Sequence, residues 1–254
     1  MKTISEIHCY REAGAVWKTD CAAAVPGVHI HKFTINEFTH LIGQHAALIK
    51  ADEAEKSNRF YHREDAQRYL LSRILCRLLL AKYNALLPQD IEFQKGRFDK
   101  PYIKHGEGML LPFFNWSHAQ NILLIAFGNS ELGVDVEQIR DFDVEAVAGV
   151  TFNKAEQKFL SEGEMDLEDF FRLWTRKEAA VKAVGFGLNE ELRLFPVLDG
   201  PNHLEDTGAG DGIILQNTSL LVDEEYAASI CYAADGPLAL HYFSLSPEEF
   251  IISA

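Results

Sequence analysis

Two stretches of helical periodicity constrain this chain more than anything else in it. Between Ala51 and Tyr83 apolar residues recur at helical spacing, with a break expected near Tyr61 and His62. In the segment EDAQRYLLSRILCRLLLAKY, Leu71, Leu75, Leu78 and Leu79 form an apolar stripe, while Arg73 and Arg77, four apart, share another face. The run from residue 167 to 184 predicts a second long helix, ended by Gly185 and Gly187. Short strand-like runs follow each helix, at 121–127 and 132–137 after the first and at 212–223, 226–233 and 238–245 after the second. Further strands are expected at 28–35 and 90–93, shorter helices at 144–148 and 153–161, and a loop over the Gly-, Asp- and Asn-rich stretch 200–212. A helix and then strands, twice over, predicts an α+β fold of two related halves with pseudo-twofold symmetry. Each half is a helix packed on a mainly antiparallel sheet, divided as residues 1–130 and 131–254.

A chain of 254 residues is long enough for two halves of roughly 125 residues, each with its own core. The 38 acidic residues against 24 basic ones give a formal net charge of −14. That surface argues against nonspecific nucleic-acid binding, which needs Lys and Arg to neutralise phosphates, but leaves room for a local anion site. Cys9, Cys21, Cys76 and Cys231 show no C-x-x-C spacing, so neither a zinc site nor a disulfide framework is indicated. The opening MKTISEIHCYREAGAVWK has no apolar signal core and no apolar run approaches membrane-spanning length. A reduced, cytoplasmic protein without membrane partners is expected.

The chemistry is concentrated in a few short segments. On a strand, GVDVE turns Asp135 and Glu137 to one face and Val134 and Val136 to the core. Two adjacent carboxylates repel unless a cation or a proton is shared; the plain alternative is a solvated strand end. In WTRKEAAVK, residues Trp174, Glu178 and Lys182 are spaced four apart and form one helical stripe. By itself this pattern reads equally as a surface ion pair worth only ~0.3–0.5 kcal/mol. Joined to Asp135 and Glu137, Glu178 completes an all-oxygen ligand set, which favours Mg²⁺ over zinc. NWSHA sets Asn115, Ser117 and His118 in an expected loop before a strand, and in GRFDKPYI Pro101 restricts the backbone beside Lys100. Lys56 and Arg68 lie on the first helical stretch. Each of these residues alone is ordinary surface chemistry.

Their order is more specific. A Lys/Arg-bearing helical stretch, a KP turn, N-x-S-H, G-V-D-V-E and W-x-x-K-E-A-x-x-K, running from about Lys56 to Phe195, resembles the phosphopantetheinyl transferase superfamily. Length and the two-halves layout resemble its larger, monomeric branch, the surfactin-synthetase-activating (Sfp-type) enzymes. The resemblance implies transfer of 4′-phosphopantetheine from coenzyme A to a serine of an apo acyl, peptidyl or polyketide carrier protein, releasing 3′,5′-ADP. It implies Mg²⁺ on Asp135, Glu137 and Glu178, bridging to the pyrophosphate. Lys182 would meet a phosphate oxygen, and either Glu178, the favoured candidate, or a metal-bound water would take the serine proton. It further implies that Lys56 and Arg68, with Ser117 and His118 nearby, hold the 3′-phosphate of coenzyme A. His118 is expected to touch a phosphate as well, and Lys100 and Pro101 to form a turn against the adenine.

The chain departs from the family pattern at Asp99 (usually Gly), Ala119 (commonly Ser), Glu53 (Lys in some members) and Trp116 (usually aliphatic). The Glu53 departure predicts a weaker 3′-phosphate grip. Two rival readings are a carrier-binding module without transfer and another Mg²⁺-dependent nucleotide enzyme such as a kinase. The full set of carboxylates argues against the first, and the absence of G-x-x-x-x-G-K-[ST] against the second. Carrier docking needs a local basic or apolar patch, for which Arg140, Arg172 and Arg176 are candidates.

Overall fold

The computed structural model describes residues 4–12, 14–20, 25–96, 99–104, 108–141, 143–162, 166–185, 190–204 and 212–251. The first part of the chain forms β1 (Ile4–Arg11), β2 (Val28–Thr34), the short helices α1 (Ile35–Phe38), α2 (Leu41–Gln44) and α3 (Ala51–Ser57), and the long helix α4 (Arg63–Asn84). The small pair β3 (Gln94–Lys95) and β4 (Pro101–Tyr102) follows, then β5 (Phe113–Ala119) and β6 (Ile122–Gly128). Next come β7 (Leu132–Gln138), α5 (Val144–Thr151), α6 (Lys154–Ser161) and the second long helix α7 (Leu167–Val184). Strands β8 (Gly200–His203), β9 (Ile213–Asp223), β10 (Tyr226–Ala233) and β11 (Leu240–Phe243) close the sequence of elements.

The two halves repeat one motif. Strand β2, helix α4 and strands β5 and β6 give the spatial order β2-β6-β5, and β7, α7, β9 and β10 give β7-β10-β9, with antiparallel neighbours throughout. Each sheet is then extended by a parallel strand from the opposite part of the chain: β11 joins β2, and β1 joins β9, with β8 antiparallel on the outer edge of β1.

The sheets pack face to face, burying Ile30, Leu124, Val134, Val136 and Ile230 between them. On the outer faces, Leu71, Leu75 and Leu79 of α4 meet Phe33, Leu123 and Phe127, and Phe170, Leu173 and Ala180 of α7 meet Ile7, Leu215 and Cys231. The layers run helix, sheet, sheet, helix. Strand β6, covered on both faces, is therefore a continuous apolar run and lacks the alternation of a half-exposed strand. Helix α7 starts at Asp166, whose carboxylate accepts the Glu168 amide at 2.9 Å, and stops at Gly185, which adopts φ 70°.

Several local expectations are corrected. The segment containing Asn115, Ser117 and His118 is a strand, because its polar residues alternate with buried Phe114 and partly buried Trp116. Residues 90–93 are no strand; Pro88–Asp90 form a 3₁₀ turn, and the Ile91 carbonyl accepts from Arg77. The start of the expected 200–212 loop, Gly200–His203, is β8, whereas residues 205–211, like Gly187, lie outside the described residues. Strand β1 was missed because an irregularity between Ile4 and Glu6 breaks its alternation.

Arg172 and Arg176 are interior residues rather than docking charges. Arg176 is fully buried and donates to Ser219 Oγ, the Val197 and Tyr10 carbonyls and Asp199, while Arg172 reaches Asp169 and Asp199. Glu53 is likewise built in: it is buried and grips Arg77 through two bonds of 2.9 and 2.8 Å, with Arg73 at 3.4 Å.

Candidate active site

Helix α7 lies directly on β7, and the contact depends on Gly133. A Cβ built there falls 2.7 Å from Lys182 Cβ and closer still to the Ala179 carbonyl and the Ala183 amide. The glycine of G-V-D-V-E, with small residues at 179 and 183, lets helix and strand backbones touch. Asp135 and Glu137 share the face of β7 turned toward the helix, opposite Val134 and Val136, which enter the inter-sheet core. The stripe of Trp174, Glu178 and Lys182 descends on that face. Thr175, Arg176 and Lys177 are buried elsewhere, the last in a 2.8 Å ion pair with Glu156.

Strands β5 and β7 are both sheet edges, and side chains join them. The Val134 amide donates to Asn115 Oδ1 at 2.9 Å, and Ser117 Oγ donates to Asp135 Oδ1 at 2.9 Å. The Lys182 ammonium sits among three oxygens: Asp135 Oδ1 at 2.6 Å, Ser117 Oγ at 3.0 Å and the Val134 carbonyl at 3.3 Å. Asp135 Oδ2 is buried with no hydrogen-bond partner.

The other two carboxylates are electrostatically strained. Burial first, then the charge of Asp135, raises Glu137 to about 7, against the opposing pull of Lys182 and of a hydrogen bond from Trp174. Glu178 is also raised to about 7, by burial and by Asp135, with Lys182 opposing and Glu137 adding. Among the described residues no three Asp, Glu, His or Cys side chains already converge as a ready ligand cage. The donor set nevertheless fits a hard cation. It consists of carboxylate oxygens only, one of them buried without a partner, and two of its carboxyls are held at raised pKa by burial and then by the charge of Asp135.

The remaining candidates fall into two groups around this centre. His118 lies one residue beyond Ser117 on the opposite face of β5. Its ring reaches solvent, yet the protein packed around it, followed by the positive charges of Arg68 and Lys182, keeps it below the usual imidazole range. Arg68 is fixed by the Gln120 carbonyl at 2.8 Å and Asp65 at 2.7 Å. Lys56 is exposed, 5.2 Å above the Tyr69 ring, which also meets the Arg73 guanidinium at 3.6 Å, and that guanidinium faces Trp116 as well.

Lys100 and Pro101 stand apart from both. Pro101 begins β4, and the Lys100 ammonium binds Glu131 at 2.9 Å and the carbonyls of Leu132 and Ala183, near the end of α7. The left-handed φ of 61° at Asp99 explains why glycine is usual at that place in the pattern resembled. Sequence reasoning missed the Trp174–Glu137 bond, the Tyr69–Arg73 stack and the Gly133 contact. Only the last had a sequence signal, a glycine two residues before the aspartate.

Known proteins resemble this chain over most of its length. Residues 131–231 match the model of the 4′-phosphopantetheinyl transferase superfamily, and residues 36–130 match that of the 4′-phosphopantetheinyl transferase N-terminal region. The 4′-phosphopantetheinyl transferase Sfp of Bacillus subtilis is 31% identical over 194 residues, covering 74% of this chain and 83% of that protein. The 4′-phosphopantetheinyl transferase HetI of Nostoc is 30% identical over 225 residues, covering 85% and 92% respectively. The chain belongs to the 4′-phosphopantetheinyl transferase superfamily, whose enzymes move the phosphopantetheine arm of coenzyme A onto carrier proteins. Among the described residues no helix is long and apolar enough to cross a membrane.

Proposed function

We propose that this chain is a Mg²⁺-dependent transferase that places 4′-phosphopantetheine on a serine of an apo acyl, peptidyl or polyketide carrier protein and releases 3′,5′-ADP. The observation that carries this reading is the facing of Asp135 and Glu137 on β7 with Glu178 on α7, beside the cations Lys182, Arg68 and the imidazole of His118. Asp135, Glu137 and Glu178 would hold the metal. When bound, Mg²⁺ supplies charge neutralisation to the pyrophosphate of coenzyme A, the principal requirement of phosphoryl transfer.

The chain's own residues do the rest. Glu178, raised to about 7, is suited to accept the carrier serine proton near neutral pH. The serine oxygen then bonds to the phosphorus that carries the pantetheine arm, and the bond from that phosphorus to the bridging oxygen breaks. Lys182 offers its ammonium to the charge left on 3′,5′-ADP. Arg68 and Lys56, with Ser117 and His118, would take the 3′-phosphate, and Lys100 with Pro101 would line the adenine side. The positive groups around His118 make a local anion site on a protein of net charge −14. Two β-α-β-β halves in one chain bring both walls of the site together, which supports a monomer. The free thiols of Cys9, Cys76 and Cys231 suit a reducing cytoplasm.

The test is to incubate the protein with coenzyme A, Mg²⁺ and apo carrier proteins of each class and to weigh the carriers by mass spectrometry. A gain of one phosphopantetheine is expected, abolished in Glu178→Ala with the circular-dichroism spectrum retained. No gain on any carrier, or full activity in Glu178→Ala, overturns the assignment or the role of that residue. A preference for ATP over coenzyme A in Mg²⁺-dependent binding would favour the kinase-like alternative.

A further inference from the structure

We propose that Lys182 has a second task, as the resident counter-cation of the metal site: in the free protein its ammonium holds Asp135, and it must be released before a divalent cation binds there. This rests on the reading of Asp135 as a metal ligand. The ammonium has three N–H donors and finds three oxygens, Asp135 Oδ1, Ser117 Oγ and the Val134 carbonyl. An all-oxygen cradle around a compact positive charge is the environment a hard cation also selects.

The two partners differ in freedom. The Asp135 side chain is 4% exposed and sits on a strand pinned under α7 at Gly133, whereas the Lys182 side chain is 26% exposed on a flexible stem. A competitor at Asp135 therefore displaces the lysine toward solvent and leaves the carboxylate in place. With the lysine on Asp135, the three carboxylates are not drawn to a common point, as the described residues indicate.

The consequence is a coupling between ligands. A divalent cation arriving alone must displace a tethered ammonium that has nowhere better to go. When the cation arrives with coenzyme A, the phosphates give that ammonium a new partner, so each ligand favours the other. A lysine that serves only to grip phosphate would have no such effect on metal binding.

The experiment measures Mn²⁺ binding to the free protein, without coenzyme A, by calorimetry and by the electron-spin resonance of unbound Mn²⁺. Lys182→Met is expected to bind Mn²⁺ roughly tenfold tighter than wild type, the order of a released charge-assisted hydrogen bond. Lys182→Arg, which keeps the charge, is expected to stay at the wild-type affinity. Equal or weaker binding by Lys182→Met overturns the proposal while leaving the metal site intact. Failure of wild type to bind Mn²⁺ even with coenzyme A present overturns the metal site itself, and this proposal with it. Should Lys182→Met not fold, amine acetylation of the wild-type protein read by mass spectrometry decides the matter. Labelling of Lys182 must rise when Mg²⁺ alone is added, and labelling unchanged at saturating Mg²⁺ refutes the displacement.

Discussion

Replacing Gly133 by alanine adds a single methyl group, and the structure makes its effect large. That carbon would stand 2.7 Å from Lys182 Cβ and closer to two backbone atoms of α7, whereas ordinary contact begins at 3.4 Å. Helix backbone cannot rotate aside as a side chain does, so α7 must retreat from β7 by about 0.7 Å or more. Overpacking of this kind costs typically ~1–3 kcal/mol, which urea denaturation will register as a lower midpoint at unchanged slope. The retreat also carries Glu178 and Lys182 away from Asp135, and misplacement on the order of 1 Å lowers catalytic rates about a hundredfold. Transfer measured with coenzyme A and an apo carrier should therefore fall about a hundredfold at saturating substrates, well beyond what partial unfolding explains. A Gly133→Ala protein with wild-type midpoint and turnover would refute the claim that close helix–strand contact sets the site.

Three further outcomes follow from the same structure. Glu53→Gln leaves Arg77 buried without its carboxylate and should cost ~3–5 kcal/mol in urea denaturation; Glu53→Lys should not fold, and near-wild-type stability in either would refute the buried pairing. In metal-free protein kept in chelator, Glu137 and Glu178 hold protons up to about 7 that the unfolded chain sheds near 4.5, so their contribution to stability falls as pH rises between those values. The stability difference between Glu178→Gln and wild type should accordingly grow with pH in favour of the variant, by on the order of 1 kcal/mol per unit, and a pH-independent difference would contradict the shift. Arg176→Ala should lower stability by about 3 kcal/mol or more, seen in denaturant, because it removes the buried bonds to Ser219, Asp199 and the Val197 and Tyr10 carbonyls. A changed carrier KM with unchanged stability would return that arginine to the surface.

The sequence was most informative where local pattern and tertiary environment agree. The α4 and α7 stripes were readable because one face of each meets a sheet, and the break before Arg63 because the periodicity lapses at Asn58–His62. Asp135 and Glu137 were placed on one face by strand geometry alone, and Glu178 and Lys182 by helix spacing. Ser117 was misread as part of a loop because its strand turns polar residues toward another strand's edge, a partner that no local pattern announces. The same blindness made Arg176 look like a docking charge and Glu53 like a flaw in the phosphate grip: their neutralising partners lie 23 and 24 residues away in the chain. Lys100 stood out by its Pro neighbour, yet its observed partners are Glu131 and the carbonyls of Leu132 and Ala183, which only the fold brings near.

The exchange of strands between the sheets has a consequence in time. As a chain emerges from the ribosome, β1 appears first, but its partners β8 and β9 begin at residues 200 and 213. Meanwhile β2, β6 and β5, with α4 over them, can already assemble. Their outer edge waits for β11, which comes later than every strand of the other sheet. Neither sheet reaches its full width until β10 and β11 have been made, so closure of both depends on contacts very distant in sequence. The carboxylates of β7 lie in the sheet completed by the earliest strand, and a nascent chain shortened before residue 213 would hold Asp135 and Glu137 without the β9 and β10 strands that support them.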